Sequence, residues 1–313
     1  MKKVIVLLGP TGVGKTSASL LLAQALGTEI ISSDSMQIYR HMDIGTAKPS
    51  ISERSTVRHH MIDVVEPWEY YSTGRYIEEV KPVISAIHNK NKVPLIVGGT
   101  GLYIKAMTRG IFQGPSADHK LRENLLKMES AEPGSLYRRL QSIDPAAGGV
   151  IMPEDIRRTV RALEVCLTGG KSISEMRAEH TERLPYEYLK IGLTRDRKEL
   201  YEMIDHRVDL MIEQGLVDEV RRVLELIGRE GSNLPSFRTL SSMQAIGYKE
   251  LIQHLEGDFP LHDAVKLIKQ RSRNYAKRQF TWFRKEEAIQ WIDITGIMDA
   301  SVIFENIRAV MDR

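Results

Sequence analysis

The sequence predicts an α/β protein, in which a parallel sheet is flanked by helices and interrupted by an all-helical insertion domain. First, an apolar run at residues 1–8 leads through a glycine-rich loop into a helical pattern at 17–26. Second, apolar strands at 29–32, 93–97 and 190–193 alternate with amphipathic helices such as 73–91, as in parallel sheets. Third, the segment after Gly110 shows helical periodicity broken by Pro and Gly. We therefore predict a core formed by residues 1–114 and 190–313, with an insertion domain at residues 115–189.

The glycine-rich loop has the spacing G-x-x-x-x-G-K-T between a strand and a helix, which is typical of a P-loop NTPase-like core. Glycines let the backbone turn so that its N–H groups point at phosphate oxygens, the lysine adds charge, and the last hydroxyl can hold Mg²⁺. The predicted phosphate-binding residues are Gly9, Pro10, Thr11, Gly12, Val13, Gly14, Lys15 and Thr16. The loop alone does not decide which phosphate compound binds.

Two further loops follow predicted strands and reach the same edge of the sheet. Asp34 follows the strand at 29–32, where α/β folds place their ligands, so it is a candidate base or metal partner. A turn or helix-cap aspartate is an equal alternative. Thr100 lies in a glycine cluster after the strand at 93–97. His59 and His60 open a predicted strand at 58–65, and without a third ligand at helical spacing they favour a hydrogen-bonding role.

Basic residues concentrate on two predicted helices. Arg157 and Arg161 share one helix face, with Arg158 beside them. Residues 266–285 contain eight basic residues and no acid. The first helix could bind phosphates, or its charges could equally be solvated or paired with Glu154 and Glu164. The second could bind nucleic acid or could equally be a solvated face. Because the net charge is only +3, a nucleic-acid surface would have to be local.

Composition narrows the class of protein. The chain is 42% hydrophobic and 27% charged, which is ordinary for a globular enzyme. Cys166 is the single cysteine, so no disulfide and no cysteine-based zinc site can form within the chain. No apolar stretch is long enough to cross a membrane, and the N-terminal run is a strand and not a signal peptide. We expect a cytoplasmic protein with no membrane partner.

A family resemblance covers almost the whole chain. The phosphate loop, the run at 34–49, and the segments at 97–103, 155–164, 245–250 and 275–279 resemble, in order and spacing, the bacterial tRNA dimethylallyltransferases, which transfer isopentenyl groups to tRNA. The resemblance implies transfer of a dimethylallyl group from dimethylallyl diphosphate to N6 of adenosine 37 in the tRNA anticodon loop, with Mg²⁺. The departure at residues 58–61 from a common Pro-His-His-Leu pattern bears little on the chemistry.

The resemblance also implies roles for individual residues. Asp34 would be the catalytic base, Thr100 would position the diphosphate or the adenine, and Arg221 would bind diphosphate with Lys15. Mg²⁺ would sit on Thr16. The residues expected to contact tRNA, with Asp34 and Thr100, are Ser35, Met36, Gln37, Arg122, Arg157, Arg158, Arg161, Lys277, Arg278 and Gln279. We expect a monomer.

Three other functions share parts of the pattern. A small-molecule or nucleoside kinase would use the same loop with ATP, and would release ADP instead of diphosphate. An isopentenyltransferase acting on free adenine nucleotide would not need the basic helices. A nucleotide switch should carry a guanine-reading motif or a second metal-holding aspartate strand, and neither is evident.

Overall fold

The computed structural model describes residues 1–112, 114–115, 117–179, 181–230 and 237–312. These residues form two compact units, one made by Met1–Lys105 with Pro185–Arg313 and the other by Ala106–Leu184. None of the described helices is long and apolar enough to span a membrane.

The helices and strands of the described residues follow one another in this order: β1 (Lys3–Leu8), α1 (Lys15–Ala25), β2 (Ile30–Ser32), α2 (Ile51–Thr56), β3 (His59–His60), α3 (Thr73–Asn89), β4 (Leu95–Gly98), α4 (Gly101–Arg109), β5 (Ile111–Phe112), α5 (His119–Ala131), α6 (Ser135–Ile143), α7 (Pro145–Gly148), α8 (Ile156–Gly169), α9 (Ile173–Glu179), β6 (Thr181–Glu182), β7 (Glu187–Thr194), α10 (Arg197–Glu213), α11 (Leu216–Arg229), α12 (Tyr248–Leu255), α13 (Leu261–Phe283), β8 (Ile289–Asp293) and α14 (Ala300–Met311).

Six strands form a parallel sheet in the order β3-β2-β4-β1-β7-β8. β1 lies inside the sheet, with Val6 opposite Ile96 on one side and Lys190 on the other. Its residues from Val4 to Leu8 are at most 4% exposed, as expected for a strand covered on both faces. The parallel α/β core is therefore confirmed, and the chain leaves β1, β2 and β4 at the same edge of the sheet.

Two strands differ from the prediction. The strand expected at 58–65 is a strand only at His59–His60, because Met61 and Asp63 have left-handed φ angles of 61° and 56° that interrupt the extended backbone. Further along, Val65 forms an isolated parallel bridge with Tyr39. β8 was not predicted. It is an edge strand with few buried residues, so its sequence lacks the apolar run that marked the inner strands.

The second unit is not all-helical. Helices α5 to α9 pack around an apolar core that includes Leu125, Leu140 and Leu163. β5 and β6 add a two-stranded antiparallel sheet in which Ile111 lies opposite Glu182. This pairing brings residues before 115 into the unit, which is why it spans Ala106–Leu184 and not the predicted 115–189.

Helix α13 corresponds to the predicted basic helix, but part of its charge is paired. Lys269 bonds Asp209, and Arg273 bonds Asp205, both on α10. Arg271 bonds the buried Glu250 on α12. These ion pairs hold α13 on its neighbours, whereas the sequence had indicated either a solvated face or a nucleic-acid surface.

Candidate active site

Three glycines shape the loop between β1 and α1. Gly9, Gly12 and Gly14 have φ angles of 151°, 81° and 105°, which other residues rarely adopt. A Cβ atom at Gly9 would lie 2.7 Å from the carbonyl oxygen of Leu193, and one at Gly12 would lie 2.9 Å from the Ile204 side chain. No side chain caps the helix start at Gly14. The first N–H groups of α1 are therefore left to bind an anion.

The Lys15 ammonium group is folded back over this loop. Its Nζ donates to the carbonyl oxygens of Gly9 at 2.9 Å and Pro10 at 2.7 Å. Burial lowers the pKa of Lys15 to about 7, while the negative charge of Asp34 raises it and the positive charge of Arg207 lowers it further. The loop thus holds an ammonium group whose charge is only partly compensated, and an anionic ligand would supply the missing compensation.

Arg207 reaches the loop, as does Arg195, whose Nε donates to the Val13 carbonyl oxygen at 3.2 Å, and sequence reasoning missed both. The Nη2 of Arg207 donates to Thr11 Oγ1 at 2.6 Å, and burial lowers the pKa of Arg207 while Asp34 opposes that effect. The buried Nε of Arg207 has no hydrogen-bond partner among the described residues. Arg221, the predicted diphosphate ligand, instead bonds Asp218 at 2.6 Å with more than half of its side chain exposed. The role of Arg221 as a diphosphate ligand stays a prediction.

Asp34 lies in a turn directly after β2. Its Oδ1 accepts the backbone N–H of Met36 at 2.8 Å, and more weakly that of Gln37 at 3.4 Å. Asp34 is therefore a turn aspartate, which is one of the two roles that the sequence allowed. Its carboxylate also acts electrostatically on Lys15 and Arg207. The structure therefore brings Asp34 and the phosphate loop together.

Thr100 joins the β4 loop to the Asp34 turn. Its Oγ1 accepts the Ser35 N–H at 3.0 Å, and its own N–H donates to the Ser33 carbonyl at 3.1 Å. A Cβ at Gly98 would lie 2.4 Å from the Ser33 backbone oxygen, so only glycine allows this approach. The three predicted catalytic residues, Lys15, Asp34 and Thr100, thus belong to one site.

Helix α13 contributes Gln279 and Tyr275 to the same region. Gln279 is 6% exposed; its Oε1 accepts the Thr11 N–H at 2.8 Å and its Nε2 donates to the Gly99 carbonyl at 2.9 Å. Gln279 therefore joins two loops of the protein, and its predicted contact with tRNA remains untested. Lys277 and Arg278, its neighbours, are exposed.

The residues after Asp34 differ in their availability. Ser35 and Met36 are half-buried at the turn. The Gln37 amide accepts the Ser32 hydroxyl at 2.9 Å and donates to the Ala47 carbonyl at 3.2 Å. Gln37 thus links the turn to the following loop, whereas Ser35 and Met36 offer surface to a ligand.

That following loop, residues 43–49, is held by a buried carboxylate. Glu219, on α11, accepts backbone N–H groups from Asp43 at 2.9 Å, Ile44 at 2.7 Å and Gly45 at 2.9 Å. It also accepts the Tyr248 hydroxyl at 2.6 Å. Nothing in the local sequence around Glu219 distinguishes it from a surface glutamate, so this role is visible only in the structure.

The paired histidines do not form a catalytic centre. His59 Nδ1 lies 2.7 Å from the Val57 carbonyl, and His60 Nε2 lies 2.6 Å from Glu29 Oε2. Glu29 precedes β2, so the pair lies at the opposite end of that strand from Asp34. Their contacts are the hydrogen-bonding kind that the sequence favoured.

The arginines of the second unit fall into two groups. Arg122 donates twice, at 2.8 Å, to the fully buried Glu164, and Arg161 bonds the same carboxylate. Burial raises the pKa of Glu164, but these hydrogen bonds outweigh it and lower the pKa overall. Arg157 and Arg158 are exposed, although Arg158 lies 3.3 Å from Asp155. Arg157 and Arg158 are therefore open to an anionic partner, while Arg122 and Arg161 also maintain the fold.

Thr16 is the residue that the sequence analysis predicts to hold Mg²⁺. It is exposed in the first turn of α1. Across the described ranges, no group of three His, Cys, Asp or Glu side chains is arranged to hold a metal. A single hydroxyl fits Mg²⁺ because this ion keeps waters and takes most other ligands from substrate phosphates.

Comparison with known proteins gives one consistent picture. The family model for IPP transferase matches residues 37–286. The chain is 54% identical over 310 residues to the tRNA dimethylallyltransferase of Thermodesulfovibrio yellowstonii, covering 99% of this chain and 98% of that protein. It is 44% identical over 293 residues to the Thermotoga maritima enzyme of the same name, covering 94% and 93%.

Solved structures agree with these sequence relatives. The full-length tRNA isopentenylpyrophosphate transferase of Bacillus halodurans matches with a TM-score of 0.72 and 38% identity, over 100% of this chain and 96% of that one. A eukaryotic dimethylallyltransferase acting on tRNA matches with a TM-score of 0.83 and 32% identity, over 99% of this chain and 78% of that one.

Proposed function

The chain belongs to the IPP transferase family of enzymes, and on that premise we propose that it transfers a dimethylallyl group from dimethylallyl diphosphate to tRNA, with N6 of adenosine 37 as the acceptor. The observation that supports this reaction most strongly is the convergence of one carboxylate with two cations. Asp34 acts on the charges of both Lys15 and Arg207 beside a loop built for phosphate. The cations would neutralise the negative charge of a diphosphate, and the carboxylate would remove a proton from an amine acceptor.

The diphosphate would bind at the start of α1. The uncapped N–H groups there, the Lys15 ammonium and the Arg207 guanidinium would surround its oxygens. Lys15 would exchange its bonds to the Gly9 and Pro10 carbonyls for bonds to phosphate oxygens. Thr16 would hold Mg²⁺, which supplies charge neutralisation of the diphosphate when bound. As the bond between the allylic carbon and oxygen breaks, its electron pair leaves with the diphosphate, so these groups stabilise the leaving group.

The acceptor amine would be activated by Asp34. The lone pair of adenine N6 is delocalised into the ring, so N6 is a weak nucleophile until a base takes its proton. Asp34 would accept that proton as the new bond from N6 to the allylic carbon forms, which general-base catalysis makes about 10²–10⁴-fold faster. Its Oδ1 is held by the Met36 N–H, which leaves Oδ2 for the substrate.

The target base would have to leave its stack to reach Asp34. Bases in single-stranded loops are read through their edges and by stacking, and Ser35 and Met36 are half-buried beside Asp34. Exposed cations are available on both units, namely Arg157 and Arg158 on α8 and Lys277 and Arg278 on α13. We assign these four to tRNA phosphates. We also propose that the enzyme is a monomer working in the cytoplasm.

The test is an incubation of the enzyme with unmodified tRNA, Mg²⁺ and either dimethylallyl diphosphate labelled in the allyl group or γ-labelled ATP, followed by digestion to nucleosides. We expect label in an N6-alkylated adenosine and no transfer from ATP. Asp34→Asn is the matched control, because it keeps the shape of the side chain and removes the base. Label transferred only from ATP would contradict the proposal and identify a kinase. If the enzyme modified free adenine nucleotide and not tRNA, the proposed acceptor would be wrong.

A further inference from the structure

Arg195, directly after β7, contacts the phosphate loop with a buried guanidinium group. Its Nε donates to the Val13 carbonyl oxygen at 3.2 Å. Its Nη2 donates to the Ile297 carbonyl oxygen, between β8 and α14, and its Nη1 donates to the Glu199 carboxylate on α10. Only 1% of the side chain is exposed. Each of the three guanidinium nitrogens is therefore bonded within the protein, and the reaction described above does not use Arg195.

The bond to Val13 fixes the direction of the next N–H group. The Val13 carbonyl and the Gly14 N–H belong to one planar trans peptide, so the two groups point in opposite directions. A guanidinium on the carbonyl side therefore leaves the Gly14 N–H facing the other side of the loop, where no acceptor for it is found among the described residues. The charged donor also polarises the peptide, which makes its N–H a stronger hydrogen-bond donor.

The position of the guanidinium is set by the C-terminal part of the chain. Glu199, which bonds Arg195, also accepts the Gly296 N–H at 2.9 Å. The Asp196 N–H donates to Thr295 Oγ1 at 2.8 Å. These bonds tie the segment between β8 and α14 to the start of α10. Arg195 is thus held from behind by two elements, and the phosphate loop rests on a fixed group.

We propose that Arg195 is a positioning residue, which orients the Gly14 N–H toward the diphosphate by holding the Val13 carbonyl of the same peptide. This inference rests on the proposed function and adds a residue that does not itself contact the substrate. As the bond between the allylic carbon and oxygen breaks, negative charge grows on the diphosphate. An N–H group that is already aligned stabilises this charge without rearrangement. We therefore expect Arg195 to affect diphosphate affinity and turnover, and to leave tRNA affinity unchanged.

The first experiment compares Arg195→Lys with wild type in titrations of inorganic diphosphate with Mg²⁺ and in steady-state kinetics. The substitution keeps the positive charge, but an ammonium group lacks the planar arrangement that holds two carbonyls at once. We expect the Kd of inorganic diphosphate to rise roughly tenfold, as for one misaligned hydrogen bond to a charged group. We also expect kcat to fall, with the Kd of tRNA within about twofold of wild type.

Arg54→Lys is the matched control. It makes the same change in an ion pair between α2 and the segment after β3, where Arg54 Nη1 lies 2.6 Å from Asp63 Oδ2. We expect this control to keep the diphosphate Kd and the kcat of wild type. All measurements are made well below the Tm of each variant, so that a loss of stability alone does not change the Kd.

The amide resonance of Gly14 measures the orientation directly. Val13–Gly14 and Val97–Gly98 are the only Val–Gly steps in the sequence, so ¹³C-carbonyl valine combined with ¹⁵N-glycine selects their amides alone. In wild type, saturating diphosphate should move the Gly14 amide proton downfield. In Arg195→Lys this movement should be smaller at saturation, while Gly98 behaves alike in both proteins. A purely structural role for Arg195 would leave the Gly14 movement at saturation unchanged.

A second variant covers the case in which Arg195→Lys does not fold. Glu199→Gln keeps the shape of the side chain but weakens its hold on the guanidinium, so it should reduce the Gly14 movement in the same direction. Wild-type diphosphate affinity together with an unchanged Gly14 movement, in whichever of the two variants folds, would overturn the inference. Wild-type enzyme that binds no diphosphate and modifies no tRNA would instead overturn the proposed function.

Discussion

The pKa of Lys15 makes diphosphate binding depend on pH in a defined direction. The pKa is about 7 in the free loop against an ordinary 10.5, because burial disfavours the ammonium form. A bound diphosphate favours the ammonium form, so above pH 7 the enzyme must take up a proton to bind it. We therefore expect affinity to be nearly constant below pH 7 and to fall at higher pH.

The size of the effect follows from the two pKa values. If the diphosphate restores the ordinary pKa of 10.5, the Kd rises about 100-fold between pH 6 and pH 9. Proton uptake at pH 8 should be about 0.9 per diphosphate bound. Isothermal titration of inorganic diphosphate in two buffers of different ionisation enthalpy measures both quantities.

Lys15→Arg provides the control, because a guanidinium stays charged over this range. Any pH dependence that remains in Lys15→Arg comes from the titration of diphosphate itself. Equal slopes of log Kd against pH in the wild type and in Lys15→Arg would refute the reasoning. Two neighbouring charges allow the direction of the pKa shift to be tested, because Arg207 lowers the pKa of Lys15 and Asp34 raises it. Arg207→Gln should therefore move the inflection to higher pH, and Asp34→Asn should move it to lower pH.

Other residues give three further predictions. Asp34→Asn should lower turnover about 10²-fold or more while tRNA affinity stays close to wild type; single-turnover kinetics and a binding assay at saturating diphosphate check this, and normal turnover would exclude Asp34 as the base. Neutralising Lys277 and Arg278 together should weaken tRNA binding and make the slope of log K against log salt shallower by up to about 2; an unchanged slope would assign the tRNA phosphates to other residues. Glu219→Ala should destabilise the fold by roughly 3–5 kcal/mol in chemical denaturation, because three part-buried N–H groups and the buried Tyr248 hydroxyl lose their acceptor, whereas a loss below 1 kcal/mol would mean that water replaces the carboxylate.

The site was predictable where chemistry depends on consecutive residues. The phosphate loop needs glycines at fixed steps before a helix start, and Gly9, Gly12 and Gly14 have the left-handed φ angles that this requires. Asp34 and Thr100 could be placed because they follow apolar strands, and the carboxyl ends of parallel strands meet at one edge. The sequence alone therefore indicated the inner strands of the sheet, the phosphate loop and the positions of Asp34 and Thr100.

The remaining parts of the site join residues far apart in the chain. Arg207 and Thr11 are 196 positions apart, Glu219 and Asp43 are 176, and Gln279 and Thr11 are 268. Arg207, Glu219 and Gln279 each lie on a helix. The sequence pattern of a helix shows which of its faces is buried but not which loop that face contacts. The sequence analysis accordingly named Arg221 and did not name Arg207, although both are arginines on helices that follow β7.

Local sequence by itself determined the backbone shape that receives phosphate, because glycine conformations and helix starts are set by neighbouring residues. Only the tertiary structure showed that Arg207 and Gln279 contact the phosphate loop. Those contacts depend on how α10 and α13 pack against the loops, and packing is set by side chains from the whole core at once.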